Sequence, residues 1–138
     1  MSLDKEQYEA RRWLQTGFED LDAAKTLLEN GKFSHACFLA QQAGEKAIKA
    51  LWYSLGEDPW GHSIQKLIIE LPAQSLRDQL NPFLNLAAAL DRYYIPTRYP
   101  NGLPDLTPGQ YYFKEDAELC IHHANSLLNC VKGEIDAQ

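Results

Sequence analysis

Lys46 and Lys49 stand three residues apart in the run Gln41-Gln42-Ala43-Gly44-Glu45-Lys46-Ala47-Ile48-Lys49-Ala50-Leu51, and Arg98 stands between Thr97 and Tyr99 in a proline-rich stretch. Side chains at i and i+3 of a helix are neighbours, so the two ammonium groups share one stripe. An arginine on a stiffened loop presents its planar fork of donors at a reduced entropic cost. Tyr93, Tyr94 and Tyr99 flank it in the chain, and such rings stack on a base or on the guanidinium itself. Lys46, Lys49, Arg98, Tyr99 and Tyr94 therefore form a candidate nucleotide- or anion-binding set. It converges only if the loop bearing Arg98 packs over the helix bearing the lysines. Two plainer readings stand beside it. The lysines suit a solvated helix surface, and Arg98 suits an ion pair with Glu45 or Asp91 that pins its loop.

Other reactive side chains give less. Cleaving RNA without a metal needs a proton acceptor near the 2′-hydroxyl and a cation for the developing phosphorane charge. Arg98 suits the cation, and His62 is the acceptor if the fold brings it near; its plainer role is a helix-start residue bonded to backbone. Glu118 and His122 share an i,i+4 relation, and two such groups fall short of a metal site. Cys37, Cys120 and Cys130 are odd in number and lack close pairing, which reads as small reduced core residues. Neither GxxxxGK[ST] nor GxGxxG occurs. No catalytic residue, metal site or cofactor is assigned from these features.

The stripe with the lysines belongs to a helix with two faces. Ala36, Leu39, Ala40, Ala43, Ala47, Ala50 and Leu51 cover roughly a third of its circumference and let a neighbouring helix approach closely. His35, Gln42, Lys46, Lys49 and Tyr53 lie within roughly 60° of one another on the other side. Gln41 and Glu45, spaced i,i+4, fall between the stripes.

Around it the spacing predicts an all-α, up-and-down bundle of four to five helices, in one domain over residues 1–138. A first helix fits 4–29, stopped by Asn30-Gly31, and a second runs from about 33 to 56. A short helix fits 62–70. Pro72 and Pro82 suit first-turn positions, giving helical pieces over 72–80 and 82–94, with Asn81 as the N-cap of the latter. The last helix covers 114–134. Residues 95–112 carry a proline at every fourth position and five of the seven tyrosines lie between Tyr93 and Tyr112. Regular helix is barred there, but the rings need something to pack on. An ordered Pro/Tyr-rich loop clamped across the bundle is expected. A formal charge of −6 opposes broad binding to nucleic acid and confines any such function to a local positive patch. With no apolar run long enough for a membrane and no secretion signal, a cytoplasmic protein is expected.

Taken in order, these pieces resemble the HEPN family (higher eukaryotes and prokaryotes nucleotide-binding domain). The likeness rests on Trp13 and Asp20-Leu21-Asp22-Ala23-Ala24, then Phe33, Ala36 and Gln42 to Ala50. It continues with His62 followed by Leu67, then Arg98-Tyr99-Pro100 and Asp116-Ala117. The resemblance implies a helical bundle that commonly forms a homodimer, binds a nucleotide or RNA, and partners a minimal nucleotidyltransferase in toxin–antitoxin-like pairs. Some members are metal-independent RNases using an Arg and a His four to six residues apart. That motif is absent: after Arg92 the positions hold Thr97, Arg98 and Tyr99, and after Arg98 they hold Leu103, Pro104 and Asp105. The expected function is a nucleotide-binding or nucleotidyltransferase-partner module without that RNase motif. The alternatives are a divergent RNase and a purely structural dimerisation module.

Overall fold

A computed structural model describes residues 2–138, and these form helices and turns. The elements are α1 (Ser2–Glu29), α2 (Phe33–Ser54), α3 (Ile64–Ile69), α4 (Gln74–Leu80), α5 (Leu84–Asp91), α6 (Pro108–Tyr111) and α7 (Lys114–Asp136). Short 3₁₀ turns lie at Asn81–Phe83 and Pro100–Gly102.

Glycine ends both long N-terminal helices in the same way. Gly31 and Gly56 each adopt φ 73°, a left-handed conformation open to a residue without Cβ. The next N–H groups then turn back: Lys32 donates to the Leu27 carbonyl and Glu57 to the Trp52 carbonyl. These bonds satisfy carbonyls that would otherwise be orphaned at the helix end. The second helix consequently stops at Ser54, with Gly56 just beyond it rather than inside it.

α1 and α2 pack along most of their length, and α7 lies against both. Gly17 lets α1 approach Ala43 of α2 and Leu128 of α7, where any Cβ would meet Leu128 Cδ2 at 2.9 Å. On α2, Ala36, Ala40, Ala43, Ala47, Ala50 and Leu51 are fully buried. The α3–α5 segment closes the remaining side, and Ile64, Leu90 and Leu127 meet at Gly44. Tyr94, just past α5, lies beside Phe38 in the first half of α2, while the end of α7 reaches Ser54 at the last turn of α2. The long elements thus alternate up and down. No helix among the described residues is long and apolar enough to cross a membrane.

The middle of the chain departs from the expected boundaries. Asn81 has helical angles and opens the 3₁₀ turn, so it is not an N-cap. The helix expected over 82–94 is the shorter α5, beyond which the chain forms irregular turns. Within 95–112 two helical turns begin at prolines, Pro100 and Pro108. Proline is preset for that position, where its missing N–H costs nothing. Thr107 caps α6, accepting from the Gln110 N–H while the Gln110 side chain accepts from the Thr107 N–H.

Candidate anion site around Arg98

Arg98 lies on the turn that leaves the end of α5. The chain has left α-helical geometry there, so its last carbonyls need donors. Thr97 Oγ1 donates to the Tyr93 carbonyl, and Arg98 Nε donates to the Tyr94 carbonyl at 2.9 Å. Thr97 is buried. The guanidinium carbon of Arg98 lies 4.5 Å from the centres of the Phe38 and Tyr94 rings and 5.0 Å from that of Tyr99. Three aromatic faces and one hydrogen bond therefore hold the head group. Its two Nη groups make no hydrogen bond or ion pair among the described residues.

Neither expected carboxylate pins this loop. Asp91 is engaged at the start of α3, accepting from Ser63 Oγ at 2.8 Å, the Ile64 N–H at 2.7 Å and the Gln65 N–H at 3.2 Å. A carboxylate there complements the positive end of the helix. Glu45 is buried, and its oxygens accept from Gln41 Nε2, Lys49 Nζ at 3.0 Å and His62 Nδ1 at 3.3 Å. Aromatic stacking replaces the expected ion pair because Phe38, Tyr94 and Tyr99 surround the guanidinium.

His62 joins the same cluster from the turn before α3. Its ring stacks on Tyr94 at 4.9 Å between centres, while Nδ1 faces Glu45. A carboxylate at Nδ1 favours the tautomer that leaves Nε2 with a free lone pair. The imidazole is held by side chains, not by the backbone contact expected of a helix-start residue. Its side chain remains 59% exposed.

The lysines share a stripe but take different partners. Lys49 pairs with Glu45 on its own helix, which His62 and then Tyr94 link to Arg98. Lys46 pairs with Asp20 of α1 and borders a hollow of about 270 Å³ shared with Glu9, Arg12, Trp13 and Thr16. Neither is a solvated surface lysine, their side chains being 24% and 12% exposed for Lys46 and Lys49. The tyrosines also divide. Tyr94 and Tyr99 hold Arg98, whereas Tyr93 packs at a tilt against Tyr112, which meets Tyr111 edge-on. The Tyr93 hydroxyl donates to Asp116 at the start of α7. Burial, then the neighbouring Cys120 and Asp116, push its phenol far above the usual range, so Tyr93 is a neutral donor.

Phe38 escapes sequence reasoning because its intermediate position on α2 carries no signal. Asp91, a candidate partner for Arg98 by sequence, instead has its place at the cap of α3. The cysteines are unpaired, with Cys37 and Cys120 buried. Among the described residues no three His, Cys, Asp or Glu side chains gather as a metal site.

The chain as a whole is similar to known proteins. A family model described as the HEPN domain matches residues 10–134. The fold is similar to a crystal structure of a Thermus thermophilus protein, 38% identical, with a TM-score of 0.85 over 91% of this chain and 97% of that one. It is also similar to an archaeal HEPN homologue, 36% identical, with a TM-score of 0.76 over 92% of this chain and 98% of the other. Among curated proteins, one of Methanocaldococcus jannaschii named as a candidate toxin is 28% identical over 130 residues, 89% of this chain and 86% of its own.

Proposed function

The chain belongs to the HEPN domain family, and from that footing we propose that it binds the phosphates of a nucleotide through Arg98. The observation that carries this reading is the state of that side chain. Three rings and the Tyr94 carbonyl fix the guanidinium, yet its Nη fork has no carboxylate partner among the described residues. A preorganised fork binds phosphate bidentately with little further ordering. Tyr94 positions it and Tyr99 lines it, while the charge of Lys49 is largely offset by Glu45 at 3.0 Å. Lys46 contributes only at longer range, since Asp20 holds it toward α1.

The module then acts by binding and not by turnover, with a minimal nucleotidyltransferase as partner in a toxin–antitoxin-like pair and a homodimer as its working form. The relative named as a candidate toxin supports the toxin-like part. Co-purification of the chain with a nucleotidyltransferase encoded beside it, together with sedimentation as a dimer at tens of micromolar, is the expected outcome. A monomer that ignores such a partner contradicts this arrangement.

One observation favours a second reading, a divergent metal-independent RNase. His62 and Arg98 rest against one Tyr94 ring although 36 positions separate them in the chain, and Glu45 orients the imidazole. This supplies a base and a cation without the usual sequence spacing. Cleavage of single-stranded RNA in a metal chelator, abolished by His62→Ala and by Arg98→Ala, selects this reading. Nucleotide binding without cleavage selects the first.

A further inference from the structure

Trp60 is 85% exposed, the most exposed of the large hydrophobic side chains among the described residues. The other two indoles are engaged. Trp13 stacks on Tyr53 and donates to Glu9, and Trp52 donates to the Leu67 carbonyl. Trp60 has no aromatic neighbour and no hydrogen bond among the described residues. It sits between Pro59 and Gly61, and Gly61 adopts φ 95° with no atom near the position of a Cβ. Trp60 and His62 are only two positions apart, so their Cα atoms lie within about 7 Å of each other. His62 in turn touches the ring that carries Arg98.

The rings closest to Arg98 are already in use. Tyr94 carries His62 and Arg98, and Phe38 and Tyr99 each lie within 5.0 Å of the guanidinium. A nucleotide whose phosphates reach the Nη fork still needs an apolar face for its base. We propose that Trp60 supplies that face, stacking on the base of a nucleoside triphosphate whose phosphates lie on Arg98. This rests on the phosphate-binding reading and extends it from an anion to an anion joined to an aromatic base. An indole stacks on any base, so Trp60 raises affinity for nucleotides over bare polyphosphate without choosing between purines.

Calorimetric titration with ATP and with inorganic tripolyphosphate separates the two parts of the site. The wild type is expected to bind ATP about tenfold more tightly than tripolyphosphate, the scale of one stacked base. Trp60→Ala is expected to lower ATP affinity to the tripolyphosphate level and leave tripolyphosphate unchanged, and Trp60→Phe to keep most of the difference. Indole emission is expected to fall on adding ATP to the wild type and to stay constant in Trp60→Phe. Unaltered ATP affinity in Trp60→Ala overturns the role of Trp60 and leaves the phosphate reading intact. A wild type that binds neither polyanion overturns both.

Discussion

Arg98 grips Tyr94 twice, with its Nε bonded to the Tyr94 carbonyl at 2.9 Å and its guanidinium carbon 4.5 Å from the centre of the Tyr94 ring. The two contacts close one turn of chain after α5 and orient the remaining donors. Because His62 stacks on the same ring, a movement of Tyr94 is felt by both His62 and Arg98. The turn is thus the structural unit of the site.

Glu45 is the buried charge on which that unit leans. Glu45→Gln leaves Lys49, whose side chain is only 12% exposed, without its anion. Breaking a buried pair from one side costs about 3 kcal/mol, and urea denaturation is expected to show a loss of that order. Glu45→Gln combined with Lys49→Met removes the stranded charge and should recover most of it. Equal losses in the single and double variants would show that the pair is not what holds the region.

Close packing at α1 predicts a contrast between two glycines. An alanine Cβ at position 17 would meet Leu128 Cδ2 at 2.9 Å and the Ala43 carbonyl oxygen at 3.1 Å. The backbone oxygen cannot step aside, so Gly17→Ala should lose about 1–2 kcal/mol despite alanine's better helix propensity. Gly133 is helical and has nothing within 4 Å. Gly133→Ala should gain about 0.5–1 kcal/mol. Thermal melts of the two variants should move in opposite directions.

These packing features show how far the sequence can be read. α1, α2 and α7 are legible because their apolar residues recur at helical spacing and Asn30-Gly31 and Gly56 mark the stops. The capping pair Thr107 and Gln110 is visible too, as a threonine and a glutamine three residues apart around Pro108, but the proline spacing argues for a plain loop. Lys46 and Lys49 share a stripe, as their spacing requires. The Glu45–Lys49 pair follows from its i,i+4 spacing, but the partner of Lys46 is not legible, because Asp20 belongs to another helix. The meeting of His62, Tyr94 and Arg98 depends on the path of residues 92–98, which side-chain bonds to local carbonyls decide. Periodicity carries no information about those bonds.

Acid should reveal His123. Burial, and then the charge of His122, hold its imidazole below the ordinary value of 6.5. The unfolded chain therefore takes up this proton at a higher pH than the folded one. Its effect on stability is nil well above pH 6.5, and stability falls as the pH drops from there toward the folded value. His123→Gln should flatten that part of a stability-versus-pH curve measured by denaturant titration. A curve unchanged by the substitution would contradict the assignment.

The most direct test of the Arg98 site is calorimetric titration of ATP into the wild type and Arg98→Ala, with thermal melts to confirm that both are folded. One charge-assisted hydrogen bond contributes about 1.5–3 kcal/mol, so ATP should bind the wild type and lose tenfold or more in affinity for Arg98→Ala. Loss of the three ring contacts should lower the melting temperature by only a few degrees. A variant that melts far lower yet, where folded, binds ATP as the wild type does would contradict phosphate binding by Arg98 and leave it a clasp for its own loop.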